Sequence, residues 1–204
     1  MIGVVDYGAG NIAAILNIYR RLRIDACAVQ TAAALRSADR LILPGVGAFD
    51  WAMDRLERSG MRAALDEQVL GAQRPVLGIC VGMQMMARSS EEGGLPGLGW
   101  VDATVHRFDP RSSTGVLFLP HMGWNDVVPT GIDPLFQAID RPRFYFLHSY
   151  YMRTDREENT LATSTYGITF ASAIRRGHIY GAQFHPEKSH GWGVALLRHF
   201  AERT

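Results

Sequence analysis

Pro75-Val76-Leu77-Gly78-Ile79-Cys80-Val81-Gly82-Met83-Gln84 is an apolar run with a cysteine set between two glycines. Val76 to Ile79 reads as a buried strand, and Met83 to Ala87 as the start of the helix that follows it. A strand that turns sharply into a helix pushes the residue at the corner into a strained, exposed position, and small flanking residues let the backbone fold that tightly. A thiolate at such a corner is favoured by the oriented N–H groups of the helix start. Gly78–Gly82 is thus the cysteine counterpart of the Gly-x-Ser-x-Gly nucleophile elbow. Alone it leaves two readings open, a nucleophile or an inert buried cysteine, because free cysteine is among the most buried residue types.

Upstream of this stretch, strands and helices alternate. Met1 to Val5 reads as a strand, followed by the loop Asp6-Tyr7-Gly8-Ala9-Gly10-Asn11 and a helix over Ile12 to Leu22 with apolar residues at helical spacing. Cys27 to Gln30 and Arg40 to Leu43 are further strands, the latter ending in Pro44-Gly45-Val46-Gly47. Helices are expected from about Phe49 to Leu56 and Met61 to Gly71. This alternation predicts an α/β fold with a mostly parallel central sheet flanked by helices. Ligands in such sheets bind at the carboxyl ends of the strands, where the Cys80 elbow and the Pro44–Gly47 loop both fall.

Downstream the pattern changes. Ser89 to Gly99, rich in Gly, Glu and Pro, reads as a surface loop. Short β-like stretches follow at Ala103 to Arg107, Gly115 to Phe118, Phe144 to Leu147, Leu161 to Thr165, Phe170 to Arg175 and Ile179 to Phe184. They predict additional antiparallel strands beside the parallel core. A helix over Ser189 to Glu202 closes the chain. After the last strand come His185-Pro186-Glu187-Lys188. Were Pro186 to hold the backbone extended, residues 185 and 187 would point the same way and the carboxylate would reach the imidazole. With Cys80 this supplies a nucleophile, a proton carrier and an orienting carboxylate: Cys80, His185 and Glu187. Without the cysteine elbow, His185 and Glu187 would read as an ion pair at a surface turn.

Composition narrows the function class. At 204 residues with a net charge of +1, the chain suits a single domain over 1–204. Lys and Arg are spread along it, so no nucleic-acid or membrane-binding face is expected. Two cysteines, Cys27 and Cys80, make no disulfide framework, and a thiol kept for attack favours a cytoplasmic location. Neither a leader segment nor an apolar run of membrane-spanning length is read. His106, His178, His190 and His199 read as surface or structural residues, and no spacing implies a metal site.

With both halves of the triad in view, the chain resembles the class I, triad-type glutamine amidotransferases, and among them the glutaminase subunits of imidazole glycerol phosphate synthase. The resemblance rests on Asp6–Asn11, Leu43–Gly47, Gly78–Gln84, Pro120-His121-Met122-Gly123-Trp124-Asn125, His148-Ser149-Tyr150-Tyr151 and Gly181–Ser189, in this order and nearly end to end. Val81 stands where leucine is usual, Met85 and Met86 replace an aliphatic pair, and Gly99–Asp102 departs further.

The resemblance implies hydrolysis of L-glutamine without a metal or other cofactor. Cys80 would attack the carboxamide, with His185 passing protons and Glu187 orienting it. The Val81 amide, with Val46 or Gly47, would hold the oxyanion. Two glycines let the Pro44–Gly47 segment either rotate under control of a partner or merely turn tightly. Gly45, Gln84, His148, Ser149 and Tyr150 would bind glutamine, although Gln84 also fits a solvated helix position. Ammonia would pass to a separate (β/α)8-barrel cyclase subunit. Tyr7, Asn11, Met122, Trp124 and Lys188 are the interface candidates, with core packing the competing role for the aromatic ones. A paralogous subunit that supplies ammonia for a surface-polysaccharide sugar precursor would share these motifs. A cysteine hydrolase would share the elbow alone.

Overall fold

A computed structural model describes residues 1–111 and 117–204. Its strands are β1 (Ile2–Val5), β2 (Ala26–Val29), β3 (Arg40–Gly45), β4 (Val76–Cys80), β5 (Ser89–Ser90), β6 (Ala103–Arg107), β7 (His121–Asp126), β8 (Val128–Pro129), β9 (Arg143–His148), β10 (Tyr150–Thr154), β11 (Thr160–Tyr166), β12 (Ile168–Arg176) and β13 (Ile179–Ala182). Its helices are α1 (Ile12–Leu22), α2 (Ala32–Ser37), α3 (Phe49–Arg58), α4 (Arg62–Asp66), α5 (Val81–Gln84) and α6 (His190–Arg203).

The main sheet runs β2-β1-β3-β4-β13-β12-β10-β6-β5, with β11 paired to β12 and β8 to β11. From β2 to β13 every pairing is parallel. The side chains explain it: β1, β4 and β13 are buried at every position, and β3 at all but its first. Strands of continuous Val, Ile and Leu are stable only with both faces covered, which is the condition of a parallel sheet between helices. Beyond β13 the sheet turns antiparallel through β12, β10 and β6. β7 and β9 form a separate antiparallel pair in which buried and more exposed positions alternate, as in a sheet with one wet face. Tyr19 of α1 donates a hydrogen bond to Leu197 O of α6 at 3.1 Å, fixing one helix against the other.

Several expected boundaries move. β3 continues through Pro44 and Gly45, because both pair with the end of β4. The helix expected over Met61–Gly71 is α4 followed by a π turn at Glu67–Gly71, which brings Gln68 and Val69 inward together. The helix after Cys80 starts at Val81 and lasts a single turn. α2, β5, β7, β8 and β10 are additions to the sequence reading, and β5 takes the first two residues of the expected surface loop Ser89–Gly99 because they pair with β6. α2 is a short Ala-rich segment capped by Thr31, whose hydroxyl accepts from Ala34 N at 3.2 Å. Of the strand expected at 115–118, residues 115 and 116 lie outside the described residues, and Leu117 and Phe118 are in loop. Among the described residues no helix is long and apolar enough to cross a membrane.

Candidate active site

Cys80 sits where β4 meets α5, with φ 54° and ψ −113°. A side-chain-bearing residue pays roughly 1–3 kcal/mol for such a backbone, so it persists only where neighbours leave the chain no other path. Those neighbours are glycines. A Cβ at Gly82 would lie 1.9 Å from Leu43 O, and one at Gly45 would lie 2.4 Å from Gly82 N. The end of β3 therefore lies directly against the first turn of α5, and Gly45 is in register with Cys80. Since α5 is one turn, its dipole is small, and stabilisation of a thiolate falls mainly to side chains.

His185 follows β13. Its N–H donates to Tyr145 O at 2.9 Å, and its carbonyl accepts from Ser189 Oγ at 2.6 Å. Nδ1 lies 2.9 Å from Glu187 Oε1, which leaves Nε2 for the sulfur. The backbone that pairs them is not the extended chain expected. Pro186–Lys188 is a 3-10 turn, and the turn carries the carboxylate back beneath the ring. Both side chains are sealed from water, at 4% and 1% exposure. Burial by itself would lower the His185 pKa, but hydrogen bonds to Cys80 and Glu187 and their negative charges outweigh it and hold the imidazole up at about 10. The resting arrangement is an imidazolium between a sulfur and a carboxylate. On the other side, Gln183 Nε2 donates to Cys80 Sγ at 3.8 Å.

Cys80 and His185 open into one cavity of about 160 Å³ whose wall includes Val46, Gly47, Val81, Gln84, His148, Ser149 and Tyr150. Val46, Gly47 and Val81 share this wall with Cys80, so their backbone donors are the candidates to meet an oxyanion. Gly45 is not in the wall and serves as a spacer against α5. The Gln84 Nε2 group is committed inward, donating to Tyr150 O and Gln183 Oε1, both at 3.0 Å, so its oxygen is the atom left for a ligand. Both ring nitrogens of His148 are likewise engaged within the protein, with Nδ1 2.7 Å from Tyr150 O and Nε2 3.0 Å from His121 Nδ1.

Two expectations about surfaces separate. Asn11 and Lys188 are exposed, and Met122 and Trp124 are 61% and 36% exposed. Trp124 stacks on His190, and Lys188 Nζ stands over the Tyr145 ring at 5.8 Å. Tyr7 is the correction. It is 5% exposed, and its hydroxyl donates to Pro44 O at 2.7 Å, so it clamps the strand that leads into the 45–47 loop rather than presenting a surface.

Two cavity residues, Glu92 and Leu147, were missed in the sequence, and Lys188, expected only at an interface, also reaches the cavity wall. Glu92, within a stretch read as plain surface loop, lines the cavity. Burial raises its pKa, while the hydrogen bond that Oε2 accepts from Phe49 N at 2.8 Å lowers it. An acidic residue just beyond an elbow helix was the available signal, but nothing local told it apart from other loop carboxylates. Among the described residues no group of His, Cys, Asp and Glu is arranged to hold a metal ion.

His148 and His121 are both held neutral by burial, at about 3 and about 4. An unfolded histidine takes up its proton near 6.5. Between these values the unfolded chain binds more protons, so the stability from His148 is complete above pH 6.5 and drains away as pH falls toward 3. His185 works in the opposite sense, its share being lost only as pH rises toward about 10. By pH 5 the loss from His148 is about 2 kcal/mol, a melting temperature lower by roughly 4–8 °C than at pH 7. Calorimetry at the two pH values checks this, and an unchanged midpoint would contradict a neutral His148.

A strained cysteine at a strand-to-helix corner, with a buried His–Glu pair behind it, defines a nucleophilic cysteine triad. The model of the family described as glutamine amidotransferase class-I matches residues 3–203, and the chain belongs to that family. It is most informatively set beside proteins named imidazole glycerol phosphate synthase subunit HisH. The one from Bdellovibrio bacteriovorus is 50% identical over 99% of this chain and 100% of its own length. One from Pseudomonas aeruginosa, named HisH 2, is 46% identical over 99% of each chain. A crystal structure of a glutamine amidotransferase superposes with a TM-score of 0.74 at 22% identity, over 98% of this chain and 97% of that one. That last likeness speaks for the fold alone.

Proposed function

We propose that this chain, as one amidotransferase domain, is the glutaminase subunit of imidazole glycerol phosphate synthase. It hydrolyses L-glutamine to L-glutamate and ammonia, and the ammonia passes to a (β/α)8-barrel cyclase subunit that forms imidazole glycerol phosphate and aminoimidazole carboxamide ribotide. The observation that carries the reading is the Cys80–His185–Glu187 line opening into an amino-acid-sized cavity, in a chain that is half identical, end to end, to a HisH protein.

The thiolate of Cys80 attacks the carboxamide carbon, and the carbonyl π electrons move onto oxygen. The N–H of Val81 and one from the Val46–Gly47 segment receive that charge, each donor contributing about 2.7–4 kcal/mol. As the oxyanion collapses the C–N bond breaks, and His185 Nε2 gives its proton to the departing nitrogen. A water, deprotonated by the same nitrogen, then cleaves the thioester. Glu187 keeps Nδ1 protonated throughout, fixing which ring nitrogen faces the sulfur. The carboxylate of Glu92 suits the α-ammonium of the substrate, and main-chain groups of Ser149 and Tyr150 suit its α-carboxylate. The exposed residues Asn11, Met122, Trp124 and Lys188 are suited to the cyclase, with Trp124 as a large aromatic anchor.

A strain whose own glutaminase subunit is deleted, and which therefore needs histidine, should regain growth without it when this chain is expressed beside a matching cyclase. A second reading is an ammonia-supplying paralogue for a surface-polysaccharide sugar, which would share the same triad and motifs. No growth, with the glutaminase active in vitro, would select that reading.

A further inference from the structure

Beyond the triad, half-buried Asn125 and two buried histidines form one continuous line of polar groups from β7 to the cavity wall. Asn125 Nδ2 lies 3.3 Å from His121 Nε2, His121 Nδ1 lies 3.0 Å from His148 Nε2, and His148 Nδ1 lies 2.7 Å from Tyr150 O. The proton positions follow from the ends of the line. A carbonyl only accepts, so His148 carries its proton on Nδ1. Its Nε2 must then accept, so His121 also carries its proton on Nδ1, and His121 Nε2 accepts from the Asn125 amide. Asn125 is held in turn by donating to Thr165 O at 2.9 Å.

Tyr150 O receives Gln84 Nε2 as well, at 3.0 Å, and Ser149 O accepts from Phe108 N at 3.1 Å. The two carbonyls of the cavity-lining pair are thereby fixed. The ring planes have little freedom, since His121 is stacked against Tyr166 at 4.1 Å and Phe146 at 4.8 Å. His121 is 4% exposed, whereas its neighbour Met122 on the opposite face of the strand is 61% exposed. His121 does not line the cavity.

We propose that His121 is a positioning residue for the glutamine site: by donating to His148 it sets that ring's tautomer, and through it the Tyr150 carbonyl and the Ser149–Tyr150 segment that receives the substrate. This rests on the glutaminase reading above. Loss of the donor leaves His148 Nε2 buried and unpaired, and the ring is then free to exchange tautomers and release Tyr150 O. β7 carries the relay on its inner face and exposed Met122 on its outer one, so a partner seated on Met122 would bear on substrate binding through the same strand.

The test is equilibrium binding of L-glutamine to the full chain in a Cys80→Ala background, where bound substrate is not consumed. His121→Phe keeps the stacked ring but removes the donor, and should raise Kd about tenfold. His121→Gln, whose amide still donates, should stay within about threefold of the parent. His121→Asn, too short to reach His148, should behave like the Phe variant and carries the same prediction should that variant fail to fold. Imidazole ¹⁵N spectra should show His148 protonated on Nδ1 in the parent, with the Nε2 resonance displaced in the Phe variant. Equal glutamine affinity in parent and Phe or Asn variants overturns the proposal. A parent that binds no glutamine overturns the glutaminase reading, and this inference with it.

Discussion

Cys80→Ala should cut glutamine hydrolysis by at least about 10⁴-fold and leave the melting temperature nearly unchanged. Both halves of the expectation follow from the site. The sulfur is the only group at the strained corner able to form a covalent bond to the carboxamide carbon, and without it a water must attack an amide directly. Its ties to neighbours other than His185 are long, at 3.8 Å from Gln183 Nε2 and 3.9 Å to Leu147 O, and alanine retains the Cβ that the φ of 54° already accommodates, so the structural loss is confined to the His185 contact. One change is specific. His185 loses the Cys80 hydrogen bond and charge that help raise it, so its pKa should fall in the variant while the Glu187 contact keeps Nδ1 protonated. A glutaminase assay with an imidazole titration by NMR measures all of this, and turnover near that of the parent would remove Cys80 from the mechanism.

Gly82→Ala tests the corner itself. The added methyl would sit 1.9 Å from Leu43 O and 2.8 Å from Leu43 C. Both are backbone atoms of a central strand and no rotamer change relieves them. α5 and the end of β3 must move apart, at a cost of about 3 kcal/mol, which lowers the melting temperature by roughly 6–12 °C. Activity should fall further than stability explains. Val46 and Gly47 would move away from Cys80 with the end of β3, and a lost oxyanion donor costs about 10²–10³ in kcat. The comparison is turnover well below the variant's melting transition, where the chain is folded. An active, equally stable variant would mean that the two elements do not meet as closely as described.

The parallel half of the fold was legible because its strands are unbroken apolar runs and its glycines mark sharp turns. The corner at Cys80 and the pair His185 and Glu187 were legible for the same reason: residue type and spacing carry them. What was not legible depends on tertiary partners. Glu187 reaches His185 through a 3-10 turn that Pro186 initiates, although proline is equally at home in extended chain. Tyr7 looked like an interface aromatic because nothing local shows that its hydroxyl ends on Pro44, a residue distant in sequence. β7 was missed because Gly123, Asn125 and Asp126 break the usual strand composition, and its register against β9 is what sets His121 opposite His148. Glu92 owes its place in the cavity to the start of α3, which caps it from another part of the chain.

The segment between β3 and α3 is tethered at both ends, by the phenol of Tyr7 on Pro44 O and by the Glu92 carboxylate on Phe49 N. Gly45 has no space to move against α5. Val46 and Gly47 lie between these tethers, so control of the site by the proposed partner would come down to a crankshaft motion of a few amide atoms that leaves the sheet undisturbed.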